Sequence, residues 1–350
     1  MRHRWVFLSL GLLLSATTLD AQWLKLPTPG LPRLPDGKPN LSAPTPRTPD
    51  GEPDFSGLWR NDAGDRYYNN ITADLRAEDV APWAEALAQK RRLQFGKDSM
   101  ETRCLPMGPA LMTTRYRMAR IVQTPTLVAF LYDDMTHREI FMDGRALEPD
   151  PNPTWMGYSV GRWDGDVLVV DSNGYTDRSW LDFDGHPHTE ALKITERYTR
   201  RNVGQIDVQV TMTDPKAYLK PITFTIPVKL QADTELIESV CENNTSLTRM
   251  TSLTPAKPVE VPAGTLSRYV GVYDVTDDSS GDKSVVEVTL SGATLWLDYG
   301  TKGKEPLTPL SPTRFSWSGS IVEFSTPAGG GVNLLLRYVE SDEYGKKRTP

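Results

Sequence analysis

Ser159-Val160-Gly161-Arg162-Trp163-Asp164-Gly165-Asp166-Val167-Leu168-Val169-Val170-Asp171-Ser172-Asn173 is the stretch that decides the fold. Two strand-forming runs flank Asp164-Gly165, and Asp-Gly between alternating segments is the strongest short-range signal for a β-hairpin. The same pattern runs outward on both sides. From Arg117 to Asn243 the expected strands are 117–123, 126–132, 137–142, 156–163, 167–171, 191–200, 206–213, 222–230 and 235–241. Their joints are Thr124-Pro125, Asp143-Gly144, Asp164-Gly165, Asn202 to Gly204, Asp214-Pro215 and Ala232-Asp233. Mostly tight joints rule out a parallel sheet, which needs crossovers of a dozen or more residues. A long antiparallel meander removes its edges by closing on itself. The expected fold class is therefore all-β: an antiparallel lipocalin-like barrel, or a curled sandwich, over 55–253.

Upstream, Pro82 at a first-turn position and Lys90, Arg91 and Arg92 in a last turn before Gly96 predict one peripheral helix over 81–95, with Trp83 and Leu87 on one face. Residues 22–54 carry nine prolines, which can neither sustain a helix nor donate to a ladder, so an extended linker outside the core is expected. A second proline-rich linker, 254–265, precedes strands at all-β spacing over 266–340: a second small all-β domain, followed by a frayed tail, 341–350.

Met1 to Ala21 has a basic start, an apolar run and a small-residue end, the three parts of a secretory signal peptide. The apolar run is too short for the roughly 20 residues a bilayer core requires, so the mature chain is expected to be exported without a transmembrane segment. The chain is acidic, with a net charge of -6 and no basic stripe, which argues against nucleic acid and anionic membrane surfaces as partners; a small-molecule ligand inside the barrel is the expected partner. Nothing fixes an oligomeric state. Cys104 and Cys241 are the two cysteines, and an oxidising compartment lets them pair; two buried free thiols are the other reading.

The chemistry-bearing residues concentrate between Trp155 and Arg201. If 186–200 continues one strand, His186, His188, Glu190, Leu192, Ile194, Glu196 and Tyr198 share the apolar, inward face. Inward charges cost several kcal/mol per ion unless paired, so the row is either a satisfied network or a site. As a site it supports an acid–base enzyme of the hydrolase, lyase or hydratase type. His186 or His188 would act as base, Glu190 and Glu196 as partners, and Asp171 or Asp177 in secondary roles. Trp155, Trp163, Tyr175 and Trp180 would stack on the ligand, and Arg138 would clamp an anion. The cofactor stays open. A divalent metal held by His186, His188 and Glu190, completed by Glu238 or Asp171, is one reading of the same spacing. Two alternatives stand beside the enzyme: a non-catalytic lipocalin-type binding barrel, and a serine hydrolase using Ser159. The latter follows from Gly157-Tyr158-Ser159-Val160-Gly161 with Asp177 and His186 in chain order, although no strand–helix context surrounds that motif.

Several motifs are also familiar together: Arg103-Cys104-Leu105-Pro106, Arg138-Glu139-Ile140 with Asp143-Gly144-Arg145, Gly161 to Asp171, Trp180-Leu181-Asp182, Gly185-His186-Pro187-His188 and Cys241-Glu242-Asn243. Over about residues 55–245 the chain resembles an uncharacterised family of exported bacterial proteins with a lipocalin-like β domain. The resemblance implies export and fold, brings no activity, and favours the Cys104–Cys241 disulfide. Arg268-Tyr269-Val270-Gly271-Val272-Tyr273 and Leu307-Thr308-Pro309-Leu310-Ser311 resemble the small β domain appended to penicillin-binding-protein-like serine hydrolases, which implies an accessory role.

Overall fold

Alternation of apolar and polar residues carries through to nine strands that close into a barrel in chain order. They are β1 (Gly57–Asn61), β2 (Met118–Gln123), β3 (Leu127–Tyr132), β4 (His137–Phe141), β5 (Tyr158–Asp164), β6 (Val167–Asn173), β7 (Lys193–Arg200), β8 (Gln205–Thr213) and β9 (Ile222–Leu230). The computed structural model describes residues 26–62, 66–115, 117–241, 257–278, 281–300, 304–317, 319–338 and 342–348. The expected signal peptide and the first three residues of the second linker, 254–256, lie outside them. β1 closes the ring on β9, with Trp59 opposite Leu230. The segment expected as a strand at 235–241 is irregular instead. One pair departs from the antiparallel expectation: β4 and β5 run parallel, Ile140 opposite Ser159. The long connection through residues 142–157 carries the chain back across the barrel end, as a parallel pair requires.

Along β8, Ile206, Val208, Val210 and Met212 are buried while their neighbours are not, so the core fills the barrel. The outer face carries ion pairs, among them Arg162–Asp171, Arg197–Asp164 (2.8 Å) and Arg201–Asp207 (2.6 Å). Apolar inside and charged outside is the reverse of a membrane-spanning barrel. Among the described residues no helix is long and apolar enough to cross a membrane.

Among the described residues three α-helices precede β2: α1 (Arg66–Asn69), α2 (Pro82–Leu93) and α3 (Pro109–Thr114). α2 buries Ala84 and Ala88 rather than Trp83 and Leu87. These small side chains, one helical turn apart, let the helix backbone approach the barrel, and Trp83 instead donates its indole N–H to the Lys216 carbonyl at 2.9 Å. Cys104 and Cys241 are joined by a disulfide that ties the segment after β9 to the loop before α3.

The proline-rich segment is not a free tether. Residues 26–54 lie on the barrel as a strap built from two like hairpins, Pro32-Arg33-Leu34-Pro35-Asp36-Gly37-Lys38-Pro39 and Pro46-Arg47-Thr48-Pro49-Asp50-Gly51-Glu52-Pro53. Each turn closes through a Pro-Asp-Gly tip whose glycine has positive φ, 84° at Gly37 and 89° at Gly51, where a side chain would be strained. Each arginine donates to its own turn glycine and to an aspartate of the barrel domain. Arg33 reaches Asp233 at 2.6 Å and Arg47 reaches Asp166 at 2.6 Å. Proline sets φ for the turn while arginine supplies the anchor, which composition alone did not reveal.

The C-terminal domain has its own core and a nine-stranded sheet. Its strands are β10 (Gly271–Asp277), β11 (Lys283–Ser291), β12 (Thr294–Asp298), β13 (Lys304–Pro306), β14 (Thr308–Pro309), β15 (Arg314–Trp317), β16 (Ser320–Ser325), β17 (Asn333–Arg337) and β18 (Asp342–Lys347). Leu307 alone separates the two edge strands, β13 and β14, so the sheet curls until its edges nearly meet. The expected frayed tail is β18, which pairs with both β10 and β17 in mid-sheet. Phe95 and Ile321 are buried against each other, with Phe183 and Leu310 packed on them, and this cluster joins the two domains beside α2.

Candidate functional site

The inward row begins later than its alternation suggests. Ile194, Glu196 and Tyr198 on β7 point into the barrel, but the strand starts at Lys193 and residues 186–190 lie outside it. Inside, the Arg138 guanidinium donates to Glu196 Oε2 at 2.5 Å, to Ser172 Oγ at 2.8 Å and to Ser159 Oγ at 3.1 Å. Ser172 Oγ donates to Ser159 Oγ at 2.9 Å, and Tyr198 Oη donates to Glu196 Oε1 at 2.8 Å. Arg138 and Glu196 are 2% and 1% exposed, so both ions are sealed from water. A void within the barrel, lined by Trp59, Tyr132 and Tyr198, holds about 50 Å³. That is room for about one or two waters and not for an organic guest, so the paired Arg138–Glu196 charges form a structural network there. Ser159 belongs to that network, two residues into an extended strand, while Asp177 is exposed; the serine-hydrolase triad is not assembled.

Residues 180–187 form a tight reversal instead of a strand. Leu181 N–H donates to the His186 carbonyl at 2.9 Å, and Gly185 turns the chain with φ of 86°. Asp182 organises this loop: it accepts from the His186 amide at 2.9 Å, from His186 Nδ1 at 2.5 Å and from the Ile71 amide at 2.6 Å. The imidazole is thereby fixed with Nδ1 protonated. Its other nitrogen lies 3.2 Å from Thr72 Oγ1 and 3.8 Å from Glu85 Oε2. His186, Thr72, Glu85 and Asp184 line a cleft of about 220 Å³ with Glu305 and Ser316 of the C-terminal domain. Asp182 stands behind the imidazole and does not line the cleft.

Electrostatics at this junction are strongly perturbed. Burial alone would lower the His186 pKa, but the Asp182 charge and hydrogen bond, with Glu85 and Asp184 near, raise it to about 10. His186 holds Glu85 down to about 2, assisted by Arg92, which donates to it at 2.6 Å. Asp184 rises to about 8, first through burial and then through the facing Glu305 carboxylate, and its Oδ1 has no hydrogen-bond partner. Groups pushed this far apart within one cleft mark functional sites more often than plain surface.

The remaining candidates scatter. His188 Nε2 accepts from Ser179 Oγ at 2.7 Å while Nδ1 donates to the Thr189 carbonyl at 3.0 Å, and burial pushes its pKa down, so it is a neutral structural imidazole. Glu190 is exposed at the barrel rim. His186, His188 and Glu190 therefore do not converge, and among the described residues no group of three His, Cys, Asp or Glu side chains is placed to hold a metal ion. Asp171 lies on the outer side of β6, bonded to Arg162 and to Thr195 Oγ1. Trp180 packs under Arg91 (4.7 Å), Trp155 under Arg178 (5.1 Å), Trp163 stacks on Phe55 and Tyr175 meets His188 edge-on. Sequence reasoning set His186 beside His188, Glu190 and Glu196, whereas its neighbours are Asp182, Thr72 and Glu85. The Asp182-x-x-x-His186 spacing around Gly185 was a local sign of the turn, whereas Glu85 on α2 and Glu305 on β13 are too remote in sequence to have been foreseen.

No family model matches the chain, and no curated protein matches it. Two solved structures align with 67% of it. One is a protein of unknown function of the DUF3598 family from Nostoc punctiforme, at 7% identity, with 88% of that chain covered and a TM-score of 0.19. The other is a candidate outer membrane protein from Bacteroides fragilis, at 10% identity, with 89% covered and a TM-score of 0.19. At such TM-scores neither carries an argument about this chain, whose all-β architecture stands on its own strand register.

Proposed function

We propose that this is an exported enzyme moving protons on a small polar molecule held in the cleft between the barrel and the C-terminal domain. One observation carries the reading: an imidazole backed by a buried carboxylate turns its other nitrogen toward a cleft that both domains line. At neutral pH His186 is an imidazolium and Glu85 a carboxylate, 3.8 Å apart. His186 is the proton donor and Glu85 the acceptor, at neighbouring atoms of one bound molecule. In a dehydration, Glu85 takes a proton from carbon, the adjacent C–O bond breaks, and His186 protonates the departing hydroxide to water. Passing the proton from Glu85 back to His186 resets the pair, and hydration is the reverse. Asp182 holds the tautomer and steadies the imidazolium without contacting the substrate. Export is supported by the leader-like start of the chain and by the disulfide, which persists in oxidising compartments. The closed barrel is consistent with the lipocalin-like resemblance, but its filled interior disfavours a lipocalin-type ligand chamber.

The test is a panel of short hydroxy acids and their unsaturated counterparts, assayed with the purified disulfide-bonded protein. His186→Gln and Glu85→Gln should each lower turnover by roughly 10²–10⁴-fold, the range of general acid–base catalysis. Nuclear magnetic resonance provides a readout without substrate: the His186 ring should stay protonated to a pH of about 10, and Asp182→Asn should lower that midpoint. Turnover that survives His186→Gln, or a ring that titrates near its unperturbed pKa of about 6.5, overturns the proposal.

A further inference from the structure

A second, larger cleft lies at the rim of the barrel, about 600 Å³ in volume, within the size range of small-molecule sites. Its walls come from the 149–153 connection between β4 and β5 and from the β8–β9 connection, and its base from the end of β6 and the approach to β7. Five lining residues are prolines, at 149, 151, 153, 215 and 221. A proline ring offers C–H surface and no backbone donor, so polar contact with a guest falls to a few side chains. Chief among these is Asn173, which is 4% exposed. Its Nδ2 donates to the Glu148 carbonyl at 2.7 Å; only the amide nitrogen can face that oxygen, so the orientation of the side chain is set. Oδ1 is left buried with no hydrogen-bond partner. An unmet buried acceptor costs about 1–3 kcal/mol, and a donor brought by a ligand recovers that cost.

The charges around the cleft have both signs. Asp150 and Glu190 stand against Lys193, all exposed, while Lys220 is paired with Asp79 at 3.1 Å and Asp214 is committed to the Thr189 amide and hydroxyl and to the Lys216 amide. A ligand with strong net charge would meet one of the two signs unfavourably. A neutral molecule with many hydroxyl groups suits all three features: it donates to Asn173 Oδ1 and Glu190, accepts from Lys193, and lays C–H faces against the proline rings. We infer that the rim cleft is a binding site for a saccharide.

This inference does not rest on the junction chemistry and can fail separately from it. Isothermal titration and saturation-transfer nuclear magnetic resonance with glucose, galactose, maltose and cellobiose are the direct test, with choline and glycine as cationic and zwitterionic controls. At least one sugar should bind, its C–H protons should receive saturation, and Asn173→Ala should weaken it at least fivefold. Because Asn173 is buried, the exposed Glu190→Gln, which cannot disturb the core, is the second variant and should weaken the same sugar. His186→Gln should leave sugar affinity unchanged. Binding of the controls alone, no binding of any sugar, or sugar affinity indifferent to both rim variants overturns the assignment.

Discussion

Replacing Glu196 by Gln isolates what the buried ion pair does. The two side chains have nearly the same shape, so the cavity is unchanged, but Arg138 keeps a charge with no counter-ion at 2% exposure. Glu196 also accepts from Tyr198, and the amide can reproduce only part of that pattern. Removing one member of a buried pair costs about 3–5 kcal/mol, because the survivor stays desolvated and unpaired. At roughly 2–4 °C per kcal/mol for a domain of this size, the melting point should fall by about 6–20 °C. Replacing both partners, Arg138→Met with Glu196→Leu, removes the stranded charge and should recover most of the loss, since apolar substitution of a whole buried pair is often neutral or stabilising. Calorimetry and urea denaturation at neutral pH on all three proteins make the comparison. An unchanged melting point in Glu196→Gln, or a double variant less stable than the single, refutes the view that the barrel interior is a closed structural network.

Two further outcomes follow from the geometry. The Cys104–Cys241 bridge closes a separation of 137 residues, so replacing both cysteines by Ser should cost up to about 5 kcal/mol if unfolded-chain entropy dominates, measured by urea denaturation of the variant and of the disulfide-bonded parent without reductant. An unchanged midpoint counts against that account. Asp184 should make stability fall with rising pH: its folded pKa of about 8 lies above the unfolded value of about 3.9. The folded state holds the extra proton, so the contribution is complete below the unfolded value and is lost as pH climbs through the folded one. Asp184→Asn should therefore show a flatter stability profile between pH 4 and 8, checked by urea midpoints across that window. Parallel profiles for the two proteins would show that the carboxyl titrates normally.

How much was legible differs between scaffold and site. The Asp164-Gly165 hairpin and the alternation of β7 and β8 specify strands and faces by themselves, because side-chain direction in a strand follows from parity alone. Glu196 and Tyr198 were accordingly read as inward, and they are. His186 and His188 were misplaced because parity holds only while the strand lasts. Asp182 captures the His186 amide and ring in a turn, and a hydrogen bond from a side chain to the backbone competes with a ladder. The Pro-Asp-Gly hairpins were mistaken for a linker on the same grounds: proline excludes a ladder but not a turn anchored through Arg33 and Arg47.

The sequence by itself determined the all-β class, the Asp164-Gly165 hairpin and the inward direction of Glu196 and Tyr198, since these depend on neighbours within a few residues. Only the tertiary structure decided that the barrel is filled, that Arg138 answers Glu196, and that Glu85, His186 and Glu305 meet at one cleft. Those pairings join residues separated by tens to hundreds of positions, and burial and electrostatic strength exist only once the chain has closed around them.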